Sequence, residues 1–168
     1  MLGFISYIIP TLNEAENLLA TLGRVADQNG EKEIIVVDGG SSDNTIEIAN
    51  RQGCIVLQSL PGRGVQMNCG AKAAIGDTLL FLHGDTLLPE HASEEVENPS
   101  RLLRLYSKCS SINAAYFTYG DQGLFLKRKK FEDMEGFKAY PFLEDIEFQL
   151  RLRRAGRFIK SCHPVQTS

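Results

Sequence analysis

Four acidic residues and one arginine stand where α/β proteins do chemistry. Asp85 closes the triplet His83-Gly84-Asp85, which abruptly ends the apolar run Thr78-Leu79-Leu80-Phe81-Leu82. Such a run suits a strand buried on both faces. In open α/β sheets ligands bind at the carboxyl ends of strands, where the following loop supplies polar groups. Gly84 permits a sharp turn, and the Asp85 carboxylate is a hard oxygen donor of the kind that holds Mg2+ or Mn2+. Taken alone, the triplet reads first as a cap for a helix that Pro89 helps to start. Asp38 follows a second apolar run, Glu33 to Val37, so both carboxylates are expected on one rim. Arg63 lies between Gly62 and Gly64 at a helix start, where a guanidinium beside free backbone N–H groups suits a diphosphate. Read alone, it is a surface-loop arginine. Glu144 and Asp145 begin another helix, a place where the macrodipole favours acids whatever else they do.

The elements that must position these groups follow in order. Phe4 to Ile9 reads as a first strand ended by Pro10. Thr11 and Glu14 have capping-box spacing, which predicts a helix start there, and Leu18, Leu22 and Val25 give that helix one buried stripe. Glu33 to Val37 is a second strand, and Ser41, Ser42 and Asp43 offer N-caps for a helix carrying Ile46 and Ala49. Cys54 to Leu57 is a third strand. A helix then runs from Arg63 to about Ile75, with Cys69, Gly70, Ala73 and Ala74 small enough to pack closely on a sheet. This β-α-β-α-β order favours a parallel, right-handed, doubly wound sheet.

Beyond Pro89 the chain reads as helical to about Glu97, with a break at Asn98-Pro99-Ser100. A basic amphipathic helix follows from Arg101 to Ile112. Tyr119-Gly120-Asp121-Gln122 is a loop into a strand from Gly123 to Lys127, and Glu135-Gly136-Phe137 marks a turn. The helix opened by Glu144-Asp145 runs to Ala155, and Arg157 to Cys162 is a last strand. No internal repeat is present.

At 168 residues the chain fits one domain, with a half of about 1–90 and a half of about 91–168. Net charge is −3, but residues 1–97 hold 5 Lys/Arg and 14 Asp/Glu while residues 98–168 hold 13 and 7, giving −9 and +6. The basic half could meet phosphates or an anionic membrane surface, or simply be solvated helix faces. Aromatic and basic residues are not interleaved as nucleic-acid binding would require. Cys54, Cys69, Cys109 and Cys162 are scattered without Cys-x-x-Cys spacing, and three lie in apolar or small-residue settings typical of buried free thiols, which favours a reducing, cytoplasmic setting. Leu2 to Ile9 is apolar but has no basic leader and meets Pro10 too early for a signal peptide or a membrane span.

In order along the chain, PTLNEAENL, VVDGGSSDNT, GRGVQMNCG, LHGDT, GLFLKRKKF, EGF and LEDIEFQLRL resemble the motif series of the family-two inverting glycosyltransferases, covering nearly the whole chain. Within that family the series most resembles a bacterial branch with His-x-Asp in place of D-x-D. The resemblance implies a three-layer α/β/α sandwich with a mostly parallel central sheet, the A-type nucleotide-diphospho-sugar transferase fold. It implies metal-dependent inverting transfer from a UDP- or GDP-type sugar donor to a hydroxyl acceptor, a lipid-linked one being an option, with peripheral contact at the inner membrane face. Pro10, Thr11, Asn13 and Glu14 would border the nucleotide pocket, Asp38 would bond base or ribose, and Arg63 would meet the diphosphate. Asp85 would carry Mg2+ or Mn2+, Asp145 would be the acceptor-side general base, and Asp121 and Gln122 would recognise sugar or acceptor. His83, in place of the usual first acid, is not assigned as a ligand, nor is His163.

Two other readings stay in view: a non-catalytic sugar-nucleotide-binding relative, and a sugar nucleotidyltransferase. The second calls for a Gly-rich, Arg-Lys-containing loop after the first strand, where this chain has Pro10-Thr11-Leu12-Asn13-Glu14. The chain departs from the family pattern in three places. Glu135 replaces the first glycine of Gly-Gly-Phe. No strand-like run lies between Pro89 and Ala115, which implies a reduced fold or residues absent around Glu97 to Ser100. The residues end at Gln166-Thr167-Ser168 without the C-terminal helices of many relatives, so acceptor and membrane contacts are expected outside them.

Overall fold

The computed structural model describes residues 3–90, 92–93, 123–138, 144–155 and 166–167. Its order is β1 (Ile5–Thr11), α1 (Leu18–Ala26), β2 (Lys32–Asp38), α2 (Thr45–Arg51), β3 (Ile55–Gln58), α3 (Arg63–Ala73), β4 (Thr78–Phe81) and β5 (Thr86–Leu87). Then come β6 (Leu124–Lys127), α4 (Arg128–Asp133), α5 (Glu144–Ala155) and β7 (Gln166–Thr167). The main sheet runs β3-β2-β1-β4-β6, parallel except for β6, which pairs antiparallel with β4. β5 and β7 form a separate antiparallel pair.

Period-two alternation along β1 splits the core. Ile5, Tyr7 and Ile9 pack with Leu18, Leu22 and Val25 of α1 and Ala49 of α2. Ile8 faces the other way, onto Met67 and Ala71 of α3, Phe131 of α4, and Phe148 and Leu152 of α5. Helices therefore cover both faces of a mostly parallel sheet, the expected three-layer arrangement. Gly70 lets α3 approach: a β-carbon there would fall 2.5 Å from the Ile8 Cγ2. Phe81, Phe131, Phe137 and Phe148 form one aromatic cluster, with centroids 4.5 Å apart for Phe137 and Phe148.

Several expectations are corrected. The first strand does not stop at Pro10, which pairs with Val37, and Thr11 pairs with Asp38. The Ile8 carbonyl accepts from the Leu82 N–H on the β4 side. Two residues on, the nitrogen of Pro10 faces that same side beyond the end of β4, where no ladder donor is required. Thr11 and Glu14 form no capping box. α1 starts at Leu18, because the Glu14 N–H is taken by the Thr45 hydroxyl at 2.9 Å and Thr11 belongs to the ladder. Asp85 does not cap a helix, since β5 follows it directly. Cys54 and Cys69 are free but half-buried rather than buried, and burial raises the Cys54 thiol to about 11. The helix at 101–112, the last strand at 157–162, Cys109 and Cys162, and the question of a strand between Pro89 and Ala115 lie outside the described residues.

Candidate active site

β1, β2 and β4 are parallel, so their carboxyl ends form one edge, and the loops there are bonded to one another. Asp38 is fully buried, and its carboxylate accepts from the N–H groups of Gly40 (2.8 Å) and Ser41 (2.9 Å) and from the Ser41 hydroxyl (2.5 Å). It thereby anchors its own loop. That loop is stitched to the one after β1. The Asn13 N–H donates to the Ser41 hydroxyl at 2.8 Å, and the Asn13 Oδ1 accepts from the Ser42 N–H at 2.8 Å. The Ala15 N–H donates to Asp43 Oδ2 at 3.1 Å. Asn13 adopts φ 56°, a left-handed conformation that asparagine tolerates better than most residues.

The turn at His83-Gly84-Asp85 rests on the same loop. A β-carbon on Gly84 would stand 3.0 Å from the Glu14 Cγ and 3.4 Å from the Thr11 Cγ2, and the Thr21 hydroxyl donates to the Gly84 carbonyl at 2.8 Å. Asp85 is half-buried and its Oδ1 accepts from the Thr86 hydroxyl at 3.3 Å. Beyond it, the buried Gln28 amide donates to the Pro89 carbonyl at 2.8 Å and accepts from the Ser93 N–H at 3.1 Å, fixing the exit of the turn.

Arg63 opens α3 after Gly62, whose φ of 133° is one that side chains rarely adopt. Its N-cap, Gly62, has no side chain with which to cap the first turn, and the Arg63 side chain is exposed. Gly64 is buried against Glu144, whose Cγ would lie 3.2 Å from a β-carbon there. The start of α5 therefore sits beside the start of α3. The backbone of Asp145 is the second residue of α5, while its side chain lies outside the described residues. Asp121 and Gln122 also lie outside them.

So Thr11, Asn13, Glu14, Asp38 and the 83–85 turn converge, and the Arg63-Gly64 start of α3 meets Glu144 on that same carboxyl side. Pro10 is buried beneath the rim rather than open on it. Sequence reading missed Gln66, Thr21 and Asn68. Each is a polar residue on a helix face otherwise given to core, and that mismatch was the available signal. The Gln66 Nε2 donates to the carbonyls of Thr11 and Val37 at 2.8 Å each. Asn68 makes two bonds to Phe137, donating to its carbonyl at 2.7 Å and accepting from its N–H at 2.9 Å. Arg151 of α5 donates to the carbonyls of Met134 and Gly136 and pairs with Glu147 at 2.7 Å, so the 134–137 turn is held from both α3 and α5.

No group of three or more His, Cys, Asp or Glu side chains that could hold a metal ion occurs among the described residues. A single carboxylate such as Asp85 nevertheless fits Mg2+ or Mn2+, which keep several waters and commonly take one or two protein carboxylates together with phosphate oxygens. No described helix is long and apolar enough to cross a membrane.

A mostly parallel sheet clad by helices, with acids and an Arg-bearing helix start on its carboxyl rim, is the arrangement of the A-type glycosyltransferase fold shared by the solved structures on which this chain superposes. Residues 6–101, more than half of the chain, match the family described as Glycosyl transferase family 2, and the chain belongs to that family. It is 42% identical over 93 residues to a PGL/p-HBAD biosynthesis glycosyltransferase of Mycobacterium tuberculosis, covering 51% of this chain and 36% of that protein. It is 37% identical over 94 residues to glycosyltransferase AglE of Haloferax volcanii, covering 50% of this chain and 31% of that protein. The chain thus spans roughly a third of the length of these relatives. Among solved structures, glucosyl-3-phosphoglycerate synthase of Mycobacterium tuberculosis, in complex with Mn2+, UDP and glucosyl-3-phosphoglycerate, superposes with a TM-score of 0.70 at 18% identity, covering 91% of this chain and 66% of that one. S. aureus TarS in complex with UDP gives 0.65 at 18% identity, covering 88% and 54%.

Proposed function

We propose that this chain carries out inverting transfer of a sugar from a nucleotide-diphosphate sugar to an acceptor hydroxyl. The observation that carries this reading is the meeting, on one sheet edge, of the Asp38 loop, the Asp85 turn and the helix start bearing Arg63, with the start of α5 packed against Gly64. Thr11, Asn13 and Glu14 border the nucleotide, with Pro10 supporting them from below. Asp38 sets the loop that meets base or ribose, and Arg63 with the open N–H groups of α3 meets the diphosphate.

Asp85 would hold Mg2+ or Mn2+, which supplies charge neutralisation on the departing diphosphate when bound. One carboxylate then suffices for acid–base work. Asp145 takes the proton of the acceptor hydroxyl as its oxygen attacks the anomeric carbon, while the bond to the nucleoside diphosphate breaks. Asp121 and Gln122 contribute to recognition of sugar or acceptor. Complexes of similarly folded proteins with UDP, UDP-GlcNAc and GDP-Man support a UDP- or GDP-linked donor. Membership of the family argues against the nucleotidyltransferase reading.

The test is thermal unfolding in the presence of UDP-, GDP- and dTDP-sugars, with and without Mn2+. A ligand that binds only the folded state at a hundred times its Kd adds about 2.7 kcal/mol of stability. One donor is expected to raise Tm in a Mn2+-dependent manner, and failure of every donor to do so would overturn the proposal.

A further inference from the structure

We infer that Gln66 is a positioning residue that locks the three loops of the donor site into one body, an inference that rests on the nucleotide-binding reading above. Gln66 is only 3% exposed, and it carries the one polar side chain among the buried residues of α3, beside Gly64, Met67, Gly70 and Ala71. An amide buried on a core-facing helix costs free energy unless its groups are bonded. Here both donors of Nε2 are used, on the Thr11 and Val37 carbonyls, and Oε1 accepts from the Gly62 N–H at 3.3 Å.

Those partners belong to three different rim segments. Thr11 ends β1 and pairs with Asp38, Val37 precedes Asp38 in β2, and Gly62 precedes Arg63. The Thr11 carbonyl already accepts from the Gly39 N–H at 2.9 Å, so it does not need Gln66 for satisfaction. What the amide adds is a tether from the start of α3 to the ends of the two strands. Gly39 leaves room for it: a β-carbon there would stand 3.1 Å from the Gln66 Nε2. The side chain thus ties the start of α3, where Arg63 stands, to the strand ends that carry the Asp38 loop.

The experiment titrates UDP and GDP, each with Mn2+, into the wild-type chain, Gln66→Met and Val25→Ala by calorimetry, well below each Tm. Gln66→Met keeps length and apolar packing but breaks the tether. Val25→Ala opens the core at the far end of α1, where Val25 is fully buried, and serves as the purely structural control. The bound nucleotide is expected to lose about tenfold or more in affinity in Gln66→Met, on the order of the cost of one lost buried hydrogen bond. Val25→Ala is expected to lower Tm with affinity within about twofold of wild type. Unchanged affinity in Gln66→Met, or equal loss in Val25→Ala, would overturn the inference alone. Failure of the wild-type chain to bind either nucleotide would overturn the UDP- or GDP-linked donor reading and this inference with it. Hydrogen exchange of the wild-type chain needs no variant. On nucleotide binding the amides of 39–41 and 62–64 are expected to gain protection together, and protection of one segment without the other would count against the tether.

Discussion

Glu144 leans on Gly64 so closely that a β-carbon added to the glycine would stand 3.2 Å from the Glu144 Cγ and 3.4 Å from its Cβ. Since Gly64 directly follows Arg63, this contact holds the first turn of α5 beside the first turn of α3. A side chain at position 64 meets the Glu144 side chain and, 3.4 Å from its β-carbon, the Lys138 carbonyl oxygen, so these neighbours must give by a few tenths of an ångström. Gly64→Val is therefore expected to displace Glu144 and Asp145 relative to the donor site. Misplacement by about 1 Å can cost on the order of a hundredfold in rate. Turnover measured as nucleotide release should fall by about that factor, with nucleotide affinity little changed. An equal fall in affinity would mean that the contact serves the donor.

Asp85 and Asp145 are assigned different work, and the assignment is separable by measurement. Asp145→Asn keeps shape and hydrogen-bonding reach but cannot take a proton, so transfer should drop by about 10²- to 10⁴-fold while donor binding persists. Asp85→Ala should instead weaken binding of the donor only when Mn2+ is present. Loss of donor affinity in both variants would show the two roles to be wrongly divided.

Asp43 gives a pH dependence whose sign can be worked out. Its carboxyl lies below the ordinary 3.8 because the Thr45 hydroxyl donates to it first of all, with the N–H groups of Thr45 and Ala15 adding to the effect against some desolvation. A carboxyl depressed in the folded state contributes stability that is present above its unfolded value and lost as pH falls through the folded one. Asp43→Asn should thus lower the urea midpoint at pH 7. The gap between variant and wild type should shrink below about pH 4 as the wild-type carboxyl protonates. A gap independent of pH would mean that Asp43 acts through shape rather than charge.

The strands and the rim were legible because apolar runs broken by Asp-Gly and Gly-Asp are strong local signals. The order of elements then forces parallel strands and a shared carboxyl edge. Where local signals failed, a distant partner had won. Thr11 and Glu14 have the spacing of a capping box, yet the Glu14 N–H is claimed by Thr45, 31 residues away. Pro10 looked like a strand end because sequence does not say which neighbour a missing N–H would have faced. α4 spans six residues and β5 and β7 two each, too short for periodicity to register. Gln66 carried a signal that went unread, an amide at a core-facing position of a helix. The bonding partners that explain it lie 55 and 29 residues away.

Among the described residues, two other than glycine adopt the left-handed conformation, and the same substitution should act on them with opposite sign. Glu135 (φ 58°) ends α4 in a Schellman arrangement, with its N–H on the Glu132 carbonyl at 2.8 Å and the Gly136 N–H on the Phe131 carbonyl at 3.1 Å. That position usually takes glycine, and the Glu135 carboxylate has no hydrogen bond or ion pair to the described residues. A left-handed L-residue costs about 1–2 kcal/mol, partly offset by the chain entropy that glycine would lose, about 0.5–1 kcal/mol. Glu135→Gly should therefore raise stability by up to about 1 kcal/mol, a Tm increase of about 2–4 °C. Asn13 (φ 56°) differs, because its side chain accepts from both the N–H and the hydroxyl of Ser42. Asn13→Gly relieves little strain and removes both bonds, so stability should fall by about 1 kcal/mol. Thermal unfolding of the two variants against wild type decides the matter. A lowered Tm for Glu135→Gly would mean that the turn draws its stability from the glutamate itself rather than from Arg151 and Asn68, which grip it from outside.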